Sequence, residues 1–507
     1  MPQHSDDDEP AAAAAVSVFR SPKPPKSAIA ALLTLLLLVN LAASLYQLPL
    51  NLVIERRLCL EHYRQHDPSQ IGKDGSIEET LCKIDGVQIG LGWIQGTMDT
   101  IWVVGDFIMT IPLGFVAERY GRRAVLWLNL VPRVFMLTWA VLVGYFDQIL
   151  PTMAIILGPM LSSLGGDCVF NSITYSLAAG ITDDYVLRAS YFGYMSSVSY
   201  VVNLLGPALA SLSMTVMLWL PFWIGISLLL AAVPVIRMLP DHTSSSRDRD
   251  EQAQPLLSSP LLKAQDANDP SLLHSVMERF RDLKQVLKRH SRNFTLMLVC
   301  FFLTSLASSD TKLLVQYISK RYHWTFASAG YLISGKAVVN FTLLTFVIPR
   351  ALRSVTRPLP SEDSLSSSDR INIHFANACF GVSVVGALAI ALAATIWILI
   401  PGLFVYALGS ALPIFTLSLL KSPAISSVTG DSIERGGEAA STGEVETHIF
   451  SIVMLVKTLG SLLGAPLMAV LWVRGIGLGG AALGMPYFVT CACYIMATSV
   501  FSRIAIA

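Results

Sequence analysis

Eight ionisable side chains lie inside long apolar stretches of this sequence, and they are the residues best placed to do chemistry. They are Asp99, Asp106, Asp167, Asp310, Arg133, Lys312, Lys336 and Lys457. A charge held away from water is costly, so such residues usually pair with one another or line a water-filled path. Four acids against four bases fit internal pairing. The chemistry open to them is ion pairing, proton exchange and the binding of a charged ligand.

Two of the acids are candidates for proton exchange. A carboxylate that couples to protons must respond to solvent access and to neighbouring charge. Asp167 and Asp310 lie in different halves of the chain, as a central site between the halves would require. An ion pair that only holds helices together is the competing interpretation for each. Asp99 and Asp106 are seven residues apart on one helix face, and we assign them a structural role.

The bases allow two interpretations. Lys312 and Lys336 would either bind an anionic group or neutralise acids, whereas we assign Arg133 and Lys457 to structural neutralisation. Asp310 and Lys312 point about 200° from each other on a helix, so they cannot line one wall. Further cavity candidates are Asn40, Gln47, Asn171 and Tyr175. Hydrogen bonding between helices is the alternative for each of these.

Composition places these residues in a membrane. Of the 507 residues, 53% are hydrophobic and 14% charged, with a formal net charge of +1, which argues against a soluble enzyme or a basic nucleic-acid binder. A membrane helix needs about 20 apolar residues. Windows of that length predict spans near 27–52, 87–113, 124–146, 151–180, 188–212, 214–238, 293–318, 326–349, 373–395, 397–420, 446–472 and 480–502.

The predicted fold is an all-α membrane protein with twelve transmembrane helices in two six-helix bundles. The bundles are residues 27–238 and 293–507, and a polar linker, 239–292, joins them. Residues 1–26 are predicted to be disordered. Lysine and arginine are concentrated on the side of the amino terminus, which places both termini in the cytoplasm. Cys59 and Cys82 share one polar segment between the first two spans, where an oxidising compartment would permit a disulfide.

The loop after the second span reads PLGFVAERYGRR, residues 112–123. Its glycines permit a tight turn and close helix approach. The string resembles the loop between helices two and three of the major facilitator superfamily, of the form G-x-x-A-D/E-R-x-G-R-R/K. The matching positions are Gly114, Glu118, Arg119, Gly121, Arg122 and Arg123. The resemblance implies pseudo-symmetric bundles, a central substrate site, alternating access and a cytoplasmic gate held shut by this loop.

In the fifth span, Gly206 and Pro207 resemble part of the glycine-proline motif of proton-coupled drug antiporters. A plain proline kink is the alternative interpretation. With the GGDCVFNSITYS segment of the fourth span, the chain looks most like fungal facilitators that export drugs or secondary metabolites. The resemblance also implies the plasma membrane and a monomer.

We predict a secondary transporter that exports a small organic compound in exchange for protons. Its expected partners are that substrate, protons and the lipid bilayer, with no nucleic acid. Because the sequence shows no catalytic cluster and no metal-ligand spacing, we expect no enzyme activity, cofactor or metal. Proton-coupled uptake of a nutrient or vitamin is one alternative, and a transport-inactive membrane sensor is another.

Overall fold

The computed structural model describes residues 26–73, 75–181, 185–239, 292–348, 350, 364–420 and 442–504. The predicted amino-terminal tail and almost all of the predicted linker lie outside these residues. Within them the chain is α-helical, with short 3-10 turns and no strand. Eleven helical segments of the described residues are long and apolar enough to cross a membrane, and a further 36-residue helix occupies the predicted second span.

Among the described residues, twelve helical spans follow one another along the chain, of which four are unbroken helices longer than 30 residues and three others are interrupted by a short 3-10 turn. They are α1 (Lys26–His66), α2 (Asp85–Tyr120), α3 (Arg122–Tyr145), α4a and α4b (Leu157–Ser162 and Asp167–Gly180), α5 (Tyr185–Val216), α6 (Leu220–Met238), α7a and α7b (Arg292–Ser308 and Leu314–Tyr322), α8 (Phe326–Thr342), α9 (Ser364–Leu392), α10a and α10b (Ile396–Leu408 and Leu412–Leu420), α11 (Thr442–Leu478) and α12 (Met485–Phe501). The all-α prediction is confirmed.

Two spans differ from the sequence-based prediction in ways that matter for the site. Helix α1 continues to His66, well beyond the predicted end at residue 52, because its polar end is held by the segment at residues 67–84. Span four is broken: a 3-10 turn, Ser163–Gly165, is followed by Gly166 with φ of 60°. That left-handed conformation favours glycine, and it makes Asp167 the first residue of α4b.

The two halves of the chain, residues 26–239 and 292–504, meet along two pairs of helices. Helix α2 packs against α11, and α5 packs against α8. A Cβ at Gly96 would lie 2.3 Å from Cβ of Ala469, so only glycine permits this approach of α2 to α11.

Two large clusters of buried apolar side chains form most of the core of the described residues. One cluster runs through the N-terminal half and includes Tyr317, Trp472 and Tyr487 of the C-terminal half. A second cluster, with Phe294 and Phe415, lies within the C-terminal half alone. The halves are therefore packed together at one end. We call this the disulfide end, because it carries Cys59 and Cys82, and we call the opposite end, with residues 112–123, the motif end.

Candidate functional site

The disulfide end is closed by polar contacts between the halves. Cys59 and Cys82 are bonded, with their Cα atoms 5.3 Å apart, so the segment at residues 67–84 is tied to α1. From that segment Glu79 accepts a hydrogen bond from the backbone N–H of Phe326 at 2.7 Å. Nζ of Lys320 lies 2.6 Å from Oδ1 of Asp85. The segment thus connects both halves.

Lys83 is the centre of this closure. Its Nζ lies 2.8 Å from both carboxylate oxygens of Glu55 and 3.3 Å from Glu79, and Lys83 and Glu55 are both buried. The backbone oxygen of Lys83 also accepts a hydrogen bond from Lys320. A buried charge needs such partners to be retained away from water.

The hydrogen bonds and ion pairs in which both partners are described join the halves at the disulfide end or near mid-membrane. Besides those already given, Gln316 donates to Asn51 at 3.0 Å, and Lys312 lies 2.8 Å from Asp99. These contacts hold the two halves together at the disulfide end.

Asp167, the first residue after the break in span four, is paired with Arg133 of α3. The Arg133 guanidinium donates to Oδ1 of Asp167, and the side chains are 8% and 30% exposed. Asn129 donates to the backbone oxygen of Gly165 at 3.2 Å. Asp106 accepts a hydrogen bond from the backbone N–H of Cys168 at 2.9 Å. A carboxylate there satisfies a free N–H at the start of α4b, which gives Asp106 a structural contact.

Asp310 has a different environment. It lies in the turn between α7a and α7b and is 0% exposed. The hydroxyl of Tyr406 donates to its two oxygens at 3.3 and 3.1 Å. Nζ of Lys336 lies 5.2 Å from the centre of the Tyr406 ring, and Tyr494 contacts that ring edge-on. Among the described residues, Asp310 forms hydrogen bonds but no ion pair within 4 Å.

Asp310 and Lys312 lie in one 3-10 turn, Ser309–Lys312, and contact different halves of the chain. Asp310 faces tyrosines of its own half, whereas Lys312 reaches Asp99 of the other half. Lys312 is thus one member of an ion pair between the halves, and its side chain is partly exposed.

Two predicted cavity residues line one cavity of about 320 Å³ between α1 and α5. Its lining residues are Asn40, Ala43, Ser44, Gln47, Ser199, Val202 and Asn203. All are uncharged, so the lining offers amide and hydroxyl groups for hydrogen bonding. Asn171 and Tyr175 of α4b do not line it: Asn171 is exposed, and Tyr175 lies edge-on to Phe192 with ring centres 5.5 Å apart.

The predicted gating loop forms a sharp turn between α2 and α3. Gly121 has φ of 88°, a conformation that favours glycine. Arg123 donates to the backbone oxygen of Arg237 at 3.3 Å and to that of Leu239, so it ties the loop to the end of α6. Arg122 lies in the first turn of α3. The side chains of Glu118 and Arg119, and the surroundings of Gly114, lie outside the described part of the chain.

Gly206 and Pro207 lie within one continuous helix, α5. A Cβ at Gly206 would lie 2.1 Å from Oγ and 2.6 Å from Cβ of Ser44. This glycine therefore permits the close contact of α5 with α1 beside the amide-lined cavity. Lys457 lies in α11, where its backbone oxygen accepts a hydrogen bond from Ser305 of α7a. Within the described residues, no three potential metal ligands cluster together.

The described residues show helices long and apolar enough to cross a membrane, two interacting halves and a polar cavity lined by α1 and α5. These are features of a polytopic membrane transport protein. The family comparison agrees: the model of the major facilitator superfamily matches residues 80–465. The chain therefore belongs to the major facilitator superfamily, whose members transport small molecules. Secondary transport across a membrane follows as its activity.

Several fungal transporters are similar to the chain over most of its length. The MFS efflux pump atnC of Emericella nidulans is 23% identical, with 89% of this chain and 83% of that protein covered. The efflux pump ustT of Aspergillus flavus is 24% identical, with the same coverage of both chains. The MFS transporter SAT21 of Stachybotrys chartarum is 24% identical over 93% and 94% of the two chains.

Solved structures share the fold at low sequence identity. A D-xylose-proton symporter has a TM-score of 0.56 at 13% identity, with 95% of this chain and 98% of that chain covered. A bacterial homologue of the iron transporter ferroportin, in its inward-facing state, also has a TM-score of 0.56, at 15% identity over 94% and 98% of the two chains. At this identity the likeness establishes the fold alone.

Several residues of the site are not apparent from the sequence. Tyr406 and Tyr494, which surround Asp310, and Asn129, which lies beside Asp167, occur in apolar spans without a motif. A search for polar side chains near the middle of each span would have found Asn129 and Tyr406. Nothing local marks Lys320 as a partner of the 67–84 segment.

Proposed function

We propose that the protein exports a small organic compound in exchange for protons, by alternating access between the motif end and the disulfide end. The environment of Asp310 is the observation on which the proposed proton coupling rests. This carboxyl group is enclosed, receives hydrogen bonds from neutral hydroxyls and has no ion-pair partner within 4 Å among the described residues. A charge in that position is costly, so its protonation is tied to whether the conformation admits water.

Asp167 has the second role in this proposal. Its pairing with Arg133 neutralises it in the present conformation, and its side chain is 30% exposed. Loss of that pair on closure of the motif end would make Asp167 a second group that exchanges protons. Asp310 is the primary coupling acid because it lacks an arginine partner.

The direction of transport rests on three supports. Two fungal relatives are named efflux pumps. Gly206 and Pro207, which resemble part of the antiporter motif, lie beside the amide-lined cavity. The positive charge of the loop at the motif end favours the cytoplasm, which turns that end toward the compartment from which an exporter loads its substrate. We place both termini in the cytoplasm, the protein in the plasma membrane, and the working unit as a monomer.

Flux in proteoliposomes under an imposed pH gradient tests this proposal. Amphipathic drugs and metabolites are screened beside vitamins, for the parent and for Asp310→Asn and Asp167→Asn. The matched control is Asp147→Asn, since Asp147 forms an exposed ion pair with Arg64 that contributes little. We expect flux opposite to the proton gradient in the parent and the control, loss of gradient dependence in Asp310→Asn, and partial loss in Asp167→Asn.

Other outcomes would change the assignment. Movement in the same direction as protons would establish uptake instead of export. Gradient dependence that is equal in the parent and in Asp310→Asn would remove Asp310 from coupling. Binding of a compound without flux in any variant would favour a membrane sensor.

A further inference from the structure

The two halves carry opposite charge inside the membrane. The membrane-embedded charges of the N-terminal half are Asp99, Asp106, Asp167 and Arg133, and those of the C-terminal half are Asp310, Lys312, Lys336 and Lys457. Acids outnumber bases by two in the first set, and bases outnumber acids by two in the second. The number of charges is balanced overall, but their pairing is not.

The acids of the N-terminal half all have partners. Asp167 pairs with Arg133, Asp99 pairs with Lys312, and Asp106 accepts a backbone hydrogen bond. None of them is left to compensate a further cation. A ligand that enters the space between the halves therefore meets acids that are already satisfied.

Two lysines of the C-terminal half are not in ion pairs. Lys336 lies over the ring of Tyr406, whose hydroxyl bonds Asp310, so it belongs to the Asp310 cluster. Lys457 has no such group: within the described part of the chain, its Nζ forms no hydrogen bond and no ion pair. Lys457 is therefore the cation with the fewest partners in the membrane-embedded part of the molecule.

Lys457 lies close to the face of α11 that packs against the other half. Trp472 of α11 contacts Gly92 of α2, and at 100° per residue Lys457 lies about 60° around the helix from Trp472. Neighbours of Lys457 also contact α7a: Ser461 lies 3.0 Å from Ser305, which also bonds the Lys457 backbone oxygen. The partly exposed Lys457 side chain thus lies between the side of α11 that contacts α7a and the side that contacts α2 of the other half.

We propose that Lys457 binds an anionic group of the transported compound, so that the substrates are organic anions such as carboxylates. An ammonium group partly removed from water, with no acid beside it, forms a strong charge-assisted hydrogen bond to a carboxylate. The uncharged lining of the cavity between α1 and α5 suits a neutral, hydrogen-bonding part of the same class of compound. This proposal rests on the proposed function and names its substrate class.

Equilibrium binding without any pH gradient tests the proposal on the full chain in lipid nanodiscs. The probes are aromatic carboxylates of increasing size, from benzoate to hydroxylated naphthoates, each compared with its own carboxamide and with the matching primary amine. The variants are Lys457→Gln and Lys457→Arg, with Lys73→Gln as the control, since Lys73 is exposed on the 67–84 segment.

We expect the parent and Lys73→Gln to bind carboxylates at least about tenfold more tightly than the carboxamides. Lys457→Gln should remove that difference, and Lys457→Arg should retain most of it. If no carboxylate binds more tightly than its carboxamide, or if the preference persists in Lys457→Gln, the proposal is wrong.

Thermal unfolding of the ligand-free variants provides a second test. Because the substitution of Lys457 breaks no ion pair, Lys457→Gln should unfold at the same temperature as the parent or higher. A lower midpoint, reversed by arginine, would show a structural ion pair instead.

Binding is also measured in Asp310→Asn: an anion preference kept there while gradient-driven exchange is lost supports both proposals. If the anion preference is lost in Lys457→Gln but the parent shows no gradient-driven exchange, the proposed proton coupling is wrong and the proposed anion site stands.

Discussion

Lys320→Met is expected to loosen the closed disulfide end. Nζ of Lys320 lies 2.6 Å from Asp85 and also donates to the backbone oxygen of Lys83. Methionine keeps the length and apolar stem of the side chain but removes both interactions. Both partners belong to the N-terminal half, so the loss falls on the conformation in which the halves meet at this end.

The free energy lost on Lys320→Met depends on how far Lys320 and its two partners are exposed to water. A hydrogen bond to a charged group contributes about 1.5–3 kcal/mol when buried, and Lys320 is 9% exposed. The Asp85 carboxylate is 71% exposed, so solvent screening leaves little of its share. We therefore expect a loss of about 1.5 kcal/mol, which shifts the ratio of closed to open disulfide ends by about tenfold.

A buried reporter on α5 measures this shift. Ser211 is 0% exposed and packs against Gly330 of α8, so a cysteine at position 211 reacts with a thiol reagent only when the halves separate there. The five free cysteines are first replaced by serine, while the Cys59–Cys82 disulfide is kept. In nanodiscs, the reaction should be about tenfold faster with Lys320→Met than in the parent.

The control for this experiment is Lys73→Met, which removes an exposed lysine from the same end of the molecule. Its labelling rate should equal that of the parent. A rate for Lys320→Met within twofold of both would refute the argument that Lys320 holds the disulfide end closed.

Two further predictions concern packing and charge. Gly206→Ala should lower the thermal midpoint through overpacking of about 1–3 kcal/mol, and Ser44→Gly should restore it because the clashing atoms are gone; an unchanged midpoint for Gly206→Ala would contradict the close contact. Arg133→Gln and Asp167→Asn should each destabilise by about 2 kcal/mol, and the double variant by less than the sum. A coupling energy no larger than that of the exposed Asp147 pair would show that this ion pair contributes nothing to stability.

The fold was largely predictable from the sequence. Each of the twelve apolar windows overlaps a helix of the described residues, because the length of a membrane helix is set by the thickness of the bilayer. The end of α1 at His66 and the break before Asp167 were missed. A polar helix end outside the bilayer leaves no apolar signal, and the turn at Gly166 depends on its packing against Leu113.

The sequence predicted some of the residues of the candidate site but not the residues that surround them. The sequence identified Asp167 and Asp310 as unusual, since a charge in an apolar stretch is visible locally. It also predicted that Asp310 and Lys312 point in different directions; in the structure both lie in a 3-10 turn, and their partners belong to different halves. The tyrosines around Asp310 were not identified, because a tyrosine in an apolar span is ordinary until its neighbour is known.

The sequence by itself determined that the chain is an all-helical membrane protein of the major facilitator superfamily and which charges it carries into the membrane. Only the tertiary structure decided the partner of each charge. Asp167 contacts Arg133 at a sequence separation of 34 residues, Asp310 contacts Tyr406 at 96, and Lys312 contacts Asp99 at 213. Hydropathy and helical periodicity act over one or two turns of a helix, whereas these pairings depend on which helices pack together and at which end the halves close.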